Sequence, residues 1–171
     1  MKTGIILAVV LGASVWGRPA RAETQTTTHE STREKTMMSQ ATGTFDVKVK
    51  PLPEDEKVAG VTVGRMSIEK EWKGDIVGTS KGEMMTAAGE VKGSAGYVAV
   101  EVMKVSIKGR SGTFTLMHHA TMKHEGDFKM LINVIPDSAT GELKGLSGAL
   151  TIIIEPGKHS YKFDYALPEA P

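Results

Sequence analysis

Residues 113–122, TFTLMHHATM, keep a two-residue beat: Phe114, Leu116, His118, Ala120 and Met122 share one parity, and Thr113, Thr115, Met117, His119 and Thr121 the other. Side chains on a strand point alternately to opposite faces, so this period fits a ribbon with one buried face and not a helix. The same beat runs through ATGTFDVKV, where Phe45, Val47 and Val49 oppose Asp46 and Lys48. It returns in GDFKMLINVIP, where Phe128, Met130, Ile132 and Val134 oppose Lys129, Leu131 and Asn133. From Ala41 onward no window sustains a helical period over the roughly ten residues a helix needs. The chain reads as all-β.

Between those segments lie VTVGRMSIEKEW, IVGTSKGEMMTA and YVAVEVMKVSI, and after them GALTIIIE and HSYKFDYAL, which brings the expectation to about eight strands. Glycine-rich and proline-rich turns separate them, among them Lys73-Gly74-Asp75 and Pro156-Gly157-Lys158. Short connections favour antiparallel neighbours. A meander of this length is expected to close as a single small antiparallel barrel, because closure removes the exposed edges that template aggregation. A sandwich is the runner-up. In VTVGRMSIEKEW the apolar parity switches across Gly64-Arg65, from Val61 and Val63 to Met66, Ile68 and Trp72, and the expected cause is a bulge there.

The ends of the chain have another character. Lys2, the apolar run GIILAVVLGASVW and the closing Ala20-Arg21-Ala22 form a signal peptide over 1–22, cut after Ala22, with a periplasmic or secreted product. That apolar run is shorter than the roughly twenty residues that cross a bilayer, so no membrane partner is expected after cleavage. Residues 23–40 are polar and Thr-rich without apolar period and read as a disordered tether, leaving 41–168 as the barrel domain. The chain has no cysteine, so disulfides and thiolate metal sites are excluded and stability has to come from the core. The formal charge is +1, and Lys2, Arg18 and Arg21 leave with the signal segment. Nothing in that balance offers the clustered positive charge that nucleic acid requires.

ATGTFDVKV, WKGDIVGTSKGE, YVAVEVMKVSIKGRSGTF, IPDSATGELKGLSGAL and HSYKFDYALP, in this order, resemble the uncharacterised bacterial family known as domain of unknown function 3224. Its members look like small barrels of the allene oxide cyclase type, a lipocalin-like meander in outline. The most specific pieces are the GRSGTF turn, the TGELKGLSG loop and the closing H-x-Y-x-x-x-Y-x-L-P. The resemblance implies a fold and leaves the function open.

Some ionisable and polar side chains fall on rows that otherwise read as inward. Lys70 lies between Ile68 and Trp72, His118 between Leu116 and Ala120, and Tyr161 shares a parity with Phe163 and Tyr165. A buried lysine has to pair, shift its pKa or face a wet cavity, which makes a carboxylate worth seeking. Glu101 shares a row with Tyr97, Ala99 and Met103 against Val98, Val100 and Val102, so the inward face of its strand is ambiguous, as is that of Glu83, which has Met85 on its own parity and Met84 on the other. The expected ligand-binding set is Lys70, Trp72, Glu83, Glu101, His118 and Tyr161, lining a cavity open at one end. His118, Glu101 and Lys70 are its catalytic candidates, because an imidazole held by a carboxylate shuttles protons near neutral pH. The plainer alternative has Lys70 reaching the rim, Glu101 in solvent and His118 donating to a backbone carbonyl.

Met117, His118, His119, Met122 and His124 offer soft metal ligands, but adjacent His118 and His119 point to opposite faces of a strand. No metal site and no cofactor is expected. GRSGTF lacks the strand–turn–helix context of a nucleophile elbow, and TGELKG lacks a phosphate-binding pattern. The first functional reading is an exported module that binds a small, partly apolar molecule in the barrel mouth. The alternatives are a proton-transfer isomerase or cyclase in the same cavity and an interaction protein that uses an outer strand face without a pocket. The oligomeric state stays open, a homo-oligomer being one outcome.

Overall fold

The computed structural model describes residues 38–53 and 56–168. The expected signal peptide over 1–22 and residues 23–37 of the expected tether lie outside the described residues. The strands are β1 (Met38–Pro51), β2 (Glu56–Val58), β3 (Val61–Gly74), β4 (Ile76–Ala88), β5 (Ala95–Ile107), β6 (Arg110–Met122), β7 (Phe128–Val134), β8 (Ser147–Glu155) and β9 (Lys158–Ala166). All neighbours are antiparallel, and β1 pairs with both β9 and β3, which closes the sheet. The three-residue β2 extends the edge of β3 beyond β1, so the wall has eight principal strands. The described residues contain no α-helix, only a 3-10 turn over Gly141–Leu143. The all-β closed meander is as the residue periodicity predicts.

One boundary and one bulge differ from expectation. β1 begins at Met38, and Met38, Ser39 and Gln40 pair with Ala166, Tyr165 and Asp164, so these three residues belong to the barrel rather than to the tether. The bulge expected in β3 is also absent: β3 runs in unbroken register with β4 from Thr62 to Trp72, and Gly64, Met66, Ile68, Lys70 and Trp72 share one parity. Val61 and Val63 sit on the opposite, outward parity, and it is the neighbouring strand that is interrupted, between Pro51 and Glu56.

The hairpins act as their chemistry predicts. Lys108 and Gly109 both take left-handed φ values, 47° and 90°, joining Ile107 to Arg110 in a two-residue turn. One end of the barrel is filled. There Trp72, Met103, Ile107, Phe114, Leu143 and Phe163 are almost fully buried, and Phe114 stacks on Phe163 with ring centroids 6.0 Å apart. The GRSGTF turn and the TGELKGLSG loop meet at this end. Thr140 N–H donates to Thr113 O at 2.8 Å, Ser111 N–H donates to the Glu142 carboxylate at 2.8 Å, and a Cβ on Gly112 would collide with Thr140 O. These two pieces of the family resemblance therefore help to build the filled end of the barrel.

The opposite end is open because two seams part. β1 pairs with β9 only from Met38 to Thr44 and thereafter with β3 alone, and β7 pairs with β8 at the single position Asn133–Ala149. The β8–β9 hairpin thus stands between two unzipped seams, with His159 stacked on Phe45 of β1 at 5.3 Å.

Candidate functional site

A layer of polar side chains crosses the barrel where the filled end gives way to the mouth. Each member comes from an inward row: Lys70 from β3, Ser80 from β4, Glu101 from β5 and His118 from β6, with exposures of 8, 2, 0 and 3%. The register places them together. Lys70 pairs with Ser80, Glu101 with both Gly82 and Leu116, and His118 with Ala99. Gly82 is the residue that lets Glu101 in. A Cβ there would stand 2.8 Å from the Glu101 Cα and collide with Val100 O, so any side chain would push β5 away.

Glu101 is the hub. Lys70 Nζ donates to its Oε2 at 2.7 Å, and Ser80 Oγ donates to Oε1 while accepting from Trp72 Nε1 at 2.8 Å. His118 Nε2 lies 3.3 Å from Oε2, out of line for a hydrogen bond. Burial alone would raise the Glu101 pKa, but His118, the Lys70 charge and the donors from Lys70 and Ser80 outweigh it and hold the carboxyl down at about 2. Glu101 is therefore ionised throughout the physiological range. The Lys70 ammonium also sits over the rings of Phe45 and Trp72, 5.0 and 5.2 Å from their centroids, a cation–π arrangement that offsets part of its desolvation.

His118 is the exception in an otherwise satisfied layer. Both of its ring nitrogens are buried and neither has a hydrogen-bond partner among the described residues. The backbone-carbonyl partner of the plainer reading is not made. Tyr97 meets the imidazole edge-on at 5.8 Å, and burial followed by the nearby Glu101 charge raises the Tyr97 pKa. His118 and Lys70 form the floor of a cavity of about 190 Å³, walled by apolar side chains that include Val47, Ile68, Met84, Met130 and Ile152, with His159 on the β8–β9 hairpin.

Of the residues expected in the site, Lys70, Glu101 and His118 meet. Trp72 lies beneath them and holds Ser80. Glu83 does not join: its side chain is outward and exposed, 2.6 Å from Arg65, because β4 turns Ile76, Ser80 and Met84 inward and the odd-numbered residues out. Tyr161 is inward and buried, as its parity predicts, but its hydroxyl accepts from Ile76 N–H at 2.8 Å and donates to Lys73 O at 3.4 Å. It braces the β3–β4 hairpin and is not a cavity residue. The sequence pattern does not single out Ser80 or Tyr97 for the site, although Ser80 shares the parity of Gly78 and Gly82, small residues suited to close approach. Outside, Val98, Val100 and Val102 are about half exposed beside Met85, Met117 and Leu131. No group of three or more carboxylate or imidazole side chains able to hold a metal occurs among the described residues.

The family model described as protein of unknown function (DUF3224) matches residues 41–165, in agreement with the resemblance carried by the five segments. Among solved structures, a protein of unknown function from the DUF3224 family of Shewanella oneidensis MR-1 is 42% identical and superposes with a TM-score of 0.71. The match covers 78% of this chain and 100% of that one. No curated protein matches the chain.

Proposed function

The chain belongs to the DUF3224 family, and we propose that its barrel is a binding module that takes a small, partly apolar molecule into the open mouth. The observation that carries this reading is His118, buried without a hydrogen-bond partner among the described residues on the floor of an apolar cavity. A buried polar group left unsatisfied costs about 1–3 kcal/mol, and a ligand that satisfies it recovers part of that cost. The apolar walls supply affinity, and the charged layer beneath supplies orientation. Export is part of the proposal: the n, h and c regions ending at Ala22 would deliver the barrel to the periplasm or beyond, and N-terminal sequencing of the mature protein tests it.

A second reading is favoured by the closeness of His118 to an ionised carboxylate: a proton-transfer isomerase or cyclase in the same cavity. In that reading His118 carries the proton, while Glu101, ionised down to about pH 2, lies beside the imidazole and balances its charge. The binding reading is tested by native mass spectrometry of protein purified from its own host. A retained small molecule, lost or weakened in His118→Ala, is the expected result. Retention unchanged by that substitution, or an empty barrel under gentle conditions, counts against it.

A further inference from the structure

We infer that the mouth selects a single-ring alcohol, above all a phenol, whose hydroxyl donates to His118 and accepts from Lys70. This rests on the binding reading and adds the chemical class of the ligand. Size sets the first limit. An apolar cavity of about 150 Å³ accepts a benzene ring, so about 190 Å³ holds one ring with a small substituent inside the mouth. Val47, Ile68, Met84, Met130 and Ile152 suit a ring's hydrocarbon surface and would leave a sugar's hydroxyls unpaired.

Charge sets the second. Lys70 and Glu101 neutralise each other at 2.7 Å, so the floor carries no surplus charge to receive an ion. An ammonium would meet Lys70, and a carboxylate would have to leave water without a counter-ion of its own.

Hydrogen-bonding capacity then selects the group. His118 Nε2 faces the negative Glu101 Oε2 at 3.3 Å, and although the pair is out of line for a hydrogen bond, that charge favours a proton over a lone pair on Nε2 and so leaves the lone pair on Nδ1. That lone pair is buried and unpartnered among the described residues. Lys70 has three N–H groups, and its one hydrogen bond among the described residues goes to Glu101. The floor therefore needs one ligand group that both donates and accepts a hydrogen bond. A hydroxyl is the smallest that does so, and because Nδ1 is buried the imidazole has to turn to meet it. Tyr97, edge-on to the imidazole, adds a second aromatic surface beside the ring.

The test titrates 4-methylphenol, toluene and 4-methylbenzoate into the full chain, followed by calorimetry and by the nitrogen resonances of the His118 side chain. The expected result is binding of 4-methylphenol at least about tenfold tighter than toluene, with the Nδ1 resonance moving on addition. In His118→Phe, toluene should still bind while the tenfold preference disappears. If that variant fails to fold, the wild-type comparison decides alone. Equal affinities for 4-methylphenol and toluene overturn the hydroxyl assignment and leave an apolar binding mouth standing. Tighter binding of 4-methylbenzoate overturns it in favour of an anion site. Binding of none of the three overturns it too, and the mass-spectrometric search for a retained ligand then decides whether the binding reading falls with it.

Discussion

Replacing Glu101 by Gln removes the one negative charge in the buried layer and leaves Lys70, 8% exposed, without its counter-ion. Two order-of-magnitude arguments set the expected cost. Moving the carboxyl from the ordinary glutamate value of 4.5 to about 2 corresponds to about 3 kcal/mol of native stability, at roughly 1.4 kcal/mol per pH unit. Breaking one side of a buried ion pair costs about 3–5 kcal/mol in general, so the two routes agree. The sign follows from the depressed pKa. The contribution is fully present above pH 4.5 and is lost as the pH falls from there through about 2, because the unfolded chain takes up its proton first. Urea unfolding of wild type and Glu101→Gln, monitored by Trp72 fluorescence at a series of pH values, should show a gap of about 3 kcal/mol at pH 7 that closes toward zero near pH 2. Lys70→Met added to Glu101→Gln should recover most of the loss at pH 7, since no unpaired charge is then left inside. A gap that stays constant down to pH 2, or a single variant costing under about 1 kcal/mol at pH 7, would refute the idea that an ionised Glu101 holds the layer together.

Gly82→Ala should destabilise the barrel by at least about 2 kcal/mol, a cost of overpacking against β5, and should shift the backbone amide resonances of Val100 and Glu101 more than those of the filled end. Unfolding midpoints and an amide correlation spectrum check both halves. Tyr161→Phe should cost about 1–3 kcal/mol, because it leaves the fully buried Ile76 N–H without its acceptor. Hydrogen exchange at Ile76 should accelerate, while ligand retention in the mouth is unchanged; loss of retention would return Tyr161 to the site.

Parity along strands made the interior legible wherever one row is apolar and the other is not. His118 between Leu116 and Ala120, and Lys70 between Ile68 and Trp72, were assigned inward on that ground and lie inward. The rule is silent on β5, where Val98, Val100 and Val102 are as apolar as Ala99, Met103 and Val105 opposite them; only pairing with Gly82 and Leu116 shows which row faces in. Glu83 is hidden for a related reason, since Met84 and Met85 put one methionine on each face of its strand, while Arg65 pairs with it outside from a neighbouring strand. The apparent switch at Gly64 misled because an outward valine can be mistaken for an inward one, while the true interruption lies in the neighbouring strand between Pro51 and Glu56. Tyr161 shows the remaining limit. Its parity fixed where the ring goes, but the duty of its hydroxyl depends on Ile76 and Lys73, whose hairpin is distant in the chain.

Stability alone does not account for the polar layer. Well-packed apolar residues in place of a buried ion pair are commonly neutral or stabilising, and the filled end of this same barrel already shows Trp, Phe, Met and Leu packed without charge. Lys70, Ser80 and Glu101 could in principle be excused as a closed, mutually satisfied network. His118 cannot, because it adds two buried nitrogens that no described residue satisfies. Its position makes a packing accident a poor explanation. The layer lies where the β1–β9 and β7–β8 pairings end, so the only charged groups buried in the barrel sit at the floor of its only unzipped end among the described residues. A barrel that merely needed to close would gain by continuing both seams and filling the layer with aliphatic side chains. One that receives a guest needs the opposite at this place: an entrance, apolar walls, and a polar group held in reserve by a rigid charged support.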